Sequence, residues 1–258
     1  MKFHKIEILE IKKDTNVYYG NIDKIDAILI GDKEISEEIL LNGEIILKNE
    51  NFQKIKLVNS ESIIHLYYPA TTEMIESYKS KMKIITESYD DYKNKIEPYI
   101  NSILELNTKW MKNILNLQNE ANKILFKGEK FIVVKNIGYD TKNDFYLLAI
   151  PYEPLKNIRD LEPKHRELLK LMKLKTLEIA KKHNFDEEDL YFFFHYHPSC
   201  YHLHLHICLN THKNLKFKIY RHVLLEDVME NIEKIGKKTM KFEISISNPI
   251  YKLLTLSV

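Results

Sequence analysis

The sequence predicts an α+β fold, with a β-rich section first and a second section in which antiparallel strands carry flanking helices. Three observations predict it. Through the first seventy residues, short runs rich in Ile, Val, Tyr and Leu are punctuated by Asn, Asp and Gly. Beyond Pro69 the apolar residues recur at helical spacing, and from Phe131 β-rich runs return between amphipathic stretches. A strand places alternate residues on one face and a helix repeats every 3.6 residues, so these period changes mark changes of element.

In chain order, KIEILEIKK, NVYYGNI, DAILIGD, EIILKNE, QKIKLV and SIIHLYYP read as six strands,. Thr72 opens a helical pattern through about Tyr89 (Met74, Ile75, Tyr78, Met82, Ile85), Pro98 interrupts it, and helical spacing resumes from about Ile100 to Leu125,. Phe131–Val134 and Phe145–Ile150 read as neighbouring buried strands. Pro163 sits in the first turn of a helix that runs to Lys182,. Tyr191–His195 and Tyr201–Leu209 are β-rich around a Pro198-Ser199 turn, Leu224–Ile235 reads as a helix and Met240–Ser247 as a last strand. The expected division is a domain over residues 1–103 and another over 104–258, although no Gly/Pro-rich linker separates them.

Composition narrows the class. Of 258 residues, 44% are hydrophobic and 29% charged, as in a soluble globular chain rather than a disordered one,. The start, MKFHKIEILEIKK, lacks the apolar core of a secretory leader, and no run approaches the ~20 apolar residues of a membrane span,. Two cysteines, Cys200 and Cys208, make no disulfide framework,. The expectation is a reduced, intracellular protein of the cytoplasm, with the nucleus as a second compartment. The net charge of +2 conceals a balance of −4 over residues 1–100 and +6 beyond, which would direct an anionic partner to the second part,.

The stretch HYHPSCYHLHLHICL, His195–Leu209, holds five of the eleven histidines. If it is a strand, His202, His204 and His206 share one face, with Leu203, Leu205 and Ile207 opposite. Chance would sooner place Lys, Glu or Thr there. Zinc is one reading, with His195 or His197 as a further ligand. Phe192–Thr211 contains no Asp or Glu to orient such a site, which ranks this reading second,. Covalent catalysis is the other: neutral imidazole attacks phosphorus near pH 7, and carboxylates would only repel a polyphosphate.

The pattern HLHLHICL at His202–Leu209 resembles the histidine triad superfamily of nucleotide hydrolases and transferases. HYHPSCYHLHLH, with His195 nine residues before His204, is more specific and resembles the scavenger mRNA decapping enzymes. LYYPAT (Leu66–Thr71), DDYKN (Asp90–Asn94), WMKNIL (Trp110–Leu115) and YLLAIPYEPLKNIRDL (Tyr146–Leu161) resemble further segments of that family in the same order. The likeness runs from about Tyr67 to Leu254 and is much weaker before Ile64.

The resemblance implies a homodimer with an exchanged N-terminal β-rich domain and a C-terminal histidine triad domain. It implies hydrolysis of 7-methylguanosine cap dinucleotide or short capped RNA to 7-methyl-GMP, without cofactor or metal. Membranes and duplex nucleic acid are not among the implied partners. By position, His204 matches the nucleophile, and His195, His202 and His206 its supporting imidazoles. Ser199 and Arg221 match residues near the phosphates, Trp110 the aromatic stacked on the methylated base, and Glu120 the carboxylate reading the guanine edge. A cationic N7-methylguanine favours an indole face beside an anion. Asn136 and Gly138 stand where the family carries an Asp and a Lys, with Lys135 or Lys142 as candidate substitutes. The rivals are a triad hydrolase of other dinucleoside polyphosphates, a cap-binding protein with little turnover, and the zinc hydrolase.

Overall fold

The computed structural model describes residues 2–11, 15–32, 38–48, 52–57, 63–79, 81–116, 123–136, 145–211 and 220–255. They form helices and antiparallel sheets in two compact units, one of residues 1–82 with 245–252 and one of residues 83–244 with 253–258. The expected boundary at 103/104 instead falls inside a continuous helix.

The first unit is built on a seven-stranded sheet. Its strands are β1 (Lys2–Ile11), β2 (Thr15–Ile22), β3 (Ile25–Asp32), β4 (Glu38–Leu40), β5 (Gly43–Lys48), β6 (Phe52–Leu57) and β7 (Ile63–Tyr67), followed by helix α1 (Thr72–Lys79). The order is β4-β1-β2-β3-β7-β6-β5, every pair antiparallel. Alternation decides the faces. Phe3, Tyr18, Ile22, Leu29, Ile55, Ile64 and Leu66 bury one, while Val17 and Ile28 point the other way and pack with Ala70 and Ile75,. Gly20 lies opposite Lys5, and a Cβ there would come within 2.1 Å of the His4 carbonyl oxygen, so the close approach of β1 and β2 requires glycine,.

The second unit opens with β8 (Met82–Glu87) and a helical stretch, α2 (Tyr89–Asp91), a π-helical turn (Tyr92–Ile96) and α3 (Glu97–Leu115). It continues with β9 (Ile124–Lys127), β10 (Phe131–Lys135), β11 (Tyr146–Pro151), α4 (Arg166–Lys181), β12 (Leu190–His195), β13 (Leu205–Leu209), β14 (His222–Leu224), α5 (Leu225–Glu230) and β15 (Met240–Ser245). The main sheet runs β14-β12-β13-β11-β10-β9, all antiparallel, and β8 pairs with β15. Helix α6 (Pro249–Thr255) ends the described chain. Among the described residues, no helix is long and apolar enough to cross a membrane.

Several sequence expectations are corrected. The helix expected over 72–89 stops at Lys79, because the β-branched run Ile84-Ile85-Thr86 joins a strand paired with β15,. Pro98 does not interrupt. The preceding π turn places it in the first turn of α3, where the missing N–H removes no helical bond,. The helix expected to reach Leu125 ends at Leu115, and Ile124 pairs instead with Val134. The helix expected over Leu224–Ile235 is α5 with a separate 3-10 turn at Ile235–Lys237.

Candidate active site

The histidine stretch is not one strand. Ladder pairing begins at Leu205, opposite Ala149, while Leu203 donates its N–H to the Leu155 carbonyl at 2.6 Å. His202 and His204 therefore lie in the segment leading into β13, and of the triad only His206 sits within it. Each of the three imidazoles is fixed by a different partner.

His202 meets the Pro151 carbonyl through Nε2 at 2.7 Å, and His204 meets the His202 carbonyl through Nδ1 at 2.7 Å. Carbonyl oxygen only accepts, so each of those nitrogens carries the proton. The neutral His204 ring therefore keeps its lone pair on Nε2. His206 Nδ1 meets the Tyr146 hydroxyl at 2.7 Å, and its Nε2 has no hydrogen-bond partner among the described residues. Ring centroids lie 4.7 Å apart for His204 and His206, and 4.2 Å for His195 and His206. Phe193 stacks on His206 at 5.1 Å. Burial lowers the pKa of all three triad imidazoles, and for His206 the charges of His204, His195, His222 and Arg221 lower it further. They are neutral bases at pH 7.

Two clamps hold the intervening loop. Asn107 on α3 donates to the Ser199 carbonyl at 2.8 Å and accepts from the Tyr201 N–H at 2.6 Å. On the other side Glu87, at the end of β8, is fully buried. Its Oε1 accepts from Arg159 Nη2 at 2.6 Å and from the Tyr196 hydroxyl, and its Oε2 meets His197 Nε2 at 2.8 Å. Arg159 also donates to the carbonyls of Gly236 and Lys238. Burial pushes the Glu87 carboxyl up, but hydrogen bonds from His197 and Tyr196 and the Arg159 charge outweigh it and hold it below the usual range. His197, weighed as a zinc ligand, is thus turned to a carboxylate from 110 positions upstream. The histidine segment contains no acid, yet an acid reaches it. Among the described residues, no group of three or more His, Cys, Asp or Glu is disposed to hold a metal ion.

The remaining expected residues are placed as follows. Arg221 is partly buried, acts on His206 and Tyr146 by charge, and accepts the Tyr196 N–H on its carbonyl at 3.0 Å. Trp110 on α3 is 43% exposed, and its indole hydrogen-bonds toward Cys200, whose thiol burial pushes up to about 11. Asn136 follows β10 directly, with its N–H on the Tyr146 carbonyl at 2.9 Å. Ser199 is exposed on the loop held by Asn107. Glu120, Gly138 and Lys142 lie outside the described residues. His195 and His204 line a small cleft, about 190 Å³ of open space, with Lys156, Asn157, Phe194, Pro198 and Leu203.

Sequence reasoning missed Glu87, Asn107, Tyr146 and His222. His222 stands opposite His195 in the β12–β14 ladder, with ring centroids 4.9 Å apart. Its only signal was adjacency to Arg221. Asn107 lies one helical turn before Trp110, and nothing local marked Glu87.

Comparison with known proteins agrees with this geometry. The family model described as "Scavenger mRNA decapping enzyme C-term binding" matches residues 109–222, which include α3 from Lys109, strands β9 to β13 and all five histidines of the His195–Leu209 stretch. The chain is 27% identical over 246 residues to the m7GpppX diphosphatase of Homo sapiens, covering 90% of this chain and 72% of that protein. It is 29% identical over 261 residues to that of Schizosaccharomyces pombe, covering 90% and 85%. The Caenorhabditis elegans protein is 33% identical over 194 residues, 70% of this chain and 59% of that one. Over most of its length the chain is similar to the scavenger mRNA decapping enzymes.

Proposed function

We propose that the chain hydrolyses the 5′-5′ triphosphate of 7-methylguanosine cap dinucleotide and of short capped RNA, releasing 7-methyl-GMP. The observation that carries this reading is His204: a buried, neutral imidazole that lines a cleft, with its proton committed to the His202 carbonyl. In the proposed reaction Nε2 attacks the phosphorus next to 7-methylguanosine. A P–N bond forms, the P–O bond to the next phosphate breaks, and the diphosphate side leaves, taking a proton from a neighbouring imidazole such as His195. Water then attacks the phosphorus, giving up a proton to the imidazole that donated one, and the P–N bond breaks to free 7-methyl-GMP and neutral His204. Neighbouring imidazoles can contribute about 10²–10⁴-fold through such proton transfer.

Trp110 offers a half-exposed indole for the methylated base, with Glu120 its carboxylate partner, and Asn136, Ser199 and Arg221 complete the substrate contacts of this reading. The β-rich first unit is assigned to an exchanged homodimer and the second to a histidine triad arrangement. Incubation with methylated and unmethylated cap dinucleotides, with products identified by mass, tests the activity. The expected product is 7-methyl-GMP, formed faster than GMP from the unmethylated form. Equal rates would leave a general dinucleoside polyphosphate hydrolase.

A further inference from the structure

We propose that Lys156 binds the substrate's polyphosphate beside His204, as the cation this cleft presents to the phosphoryl group under attack. The inference rests on the phosphoryl-transfer reading above and adds a residue to it. Lys156, Asn157, His195, Pro198 and His204 line one cleft.

Charge selects Lys156. Burial keeps the His204 imidazole neutral, and of the described residues lining the cleft Lys156 alone carries a formal positive charge. Arg221 is not among them; the groups that act on it are Tyr146 and Glu243. A triphosphate entering the cleft therefore meets Lys156 as its counter-charge.

Geometry prepares it. Lys156 Nζ lies 2.9 Å from Glu97 Oε1, and Glu97 also holds Lys93. An ammonium has three donors, so one bond to Glu97 leaves N–H groups for phosphate oxygens. The backbone beneath is fixed. Lys156 N–H donates to Asp160 Oδ2 at 2.7 Å, and Asn157 joins the Arg159 N–H to the Tyr92 hydroxyl. Glu97 thus aims the ammonium while sharing its carboxylate with Lys93.

The test measures two things on the wild type, Lys156→Ala, Lys156→Arg and Glu97→Gln: kinetics on methylated cap dinucleotide, and calorimetric binding of inorganic triphosphate. Losing one charge-assisted hydrogen bond should raise KM and weaken triphosphate binding about 10- to 100-fold in Lys156→Ala. The dependence of kcat/KM on salt should flatten in the same variant. Lys156→Arg should keep most of the binding. Glu97→Gln should bind triphosphate as well as the wild type or better, whereas a lysine present only to pair with Glu97 would make the Glu97→Gln and Lys156→Ala defects alike. Unchanged triphosphate binding in Lys156→Ala, or equal losses in those two variants, overturns the proposal. If the wild type cleaves no cap dinucleotide, the activity reading fails by itself, and triphosphate binding still decides the role of Lys156.

Discussion

The nucleophile's role proposed for His204 suits a ring whose protonation one hydrogen bond and burial settle. The His202 carbonyl takes the Nδ1 proton, and burial keeps the ring from gaining a second one. Burial leaves the Nε2 lone pair available over a wider acid range than a free imidazole with its value of 6.5, outweighing the His202 carbonyl, which pulls the other way,. His204→Asn should therefore abolish turnover, to below about one part in 10³, while cap analogue still binds, since a group that forms the covalent bond has no substitute. Single-turnover kinetics with titration calorimetry check this. In the wild type, kcat/KM should hold steady as pH falls through 6.5 and decline only below it. A variant lacking His204 that kept substantial activity would rule out the covalent route.

Strands and helices supply the frame, and the frame was only partly legible. The pairing of β10 with β11 and the extent of α4 follow from local patterning, because both elements bury a face continuous in sequence,. Met82–Glu87 carried helical spacing and became a strand, since its pairing with β15 lies more than 150 residues away and no local signal reports it,. The histidine cluster was legible as a cluster but not as a shape. The alternation that suggested one strand holds only from Leu205, and Leu203 is drawn aside by Leu155. Glu87 was invisible for the reason β8 was. This clamp makes its own prediction: Glu87→Ala leaves the buried Arg159 charge without its carboxylate, which should cost about 3–5 kcal/mol,. It also frees Tyr196 and His197 beside His195, so activity should fall more than that of a surface variant such as Glu167→Ala. Denaturant titration and turnover, measured together, test both. A loss under about 1 kcal/mol would mean that water or the Gly236 and Lys238 carbonyls suffice for Arg159,.

For the whole molecule, buried titration sets the response to acid, and exposed sheet surface sets the state of association. His202, His204 and His206 have folded pKa values below 6.5, so as pH falls beneath 6.5 the unfolded chain takes up protons that the folded chain refuses,. Their contribution is complete above that range and is lost as pH falls from it toward each folded value. Glu87, held below 4.5, adds a second loss only as pH falls beneath 4.5. The calorimetric midpoint should decline already between pH 7 and pH 5, and less so in His206→Gln. A midpoint level down to pH 5 would contradict the burial of neutral imidazoles. The sheet of the first unit makes the larger-scale prediction. Ile6, Ile8, Ile25, Ile45 and Ile63 are 39–56% exposed on it, and its edge strands are the three-residue β4 and the six-residue β5. Exposed isoleucines and open strand edges are surfaces a chain covers by pairing. The expected solution state is a dimer, at twice the 30.8 kDa of one chain,. Multi-angle light scattering at micromolar concentration decides it, and Ile6→Lys with Ile8→Lys should shift the population toward monomer. A monodisperse monomer in the wild type would mean that this sheet surface stays wet, and would remove the exchanged-dimer assignment while leaving the histidine site, which lies wholly in the second unit, as described.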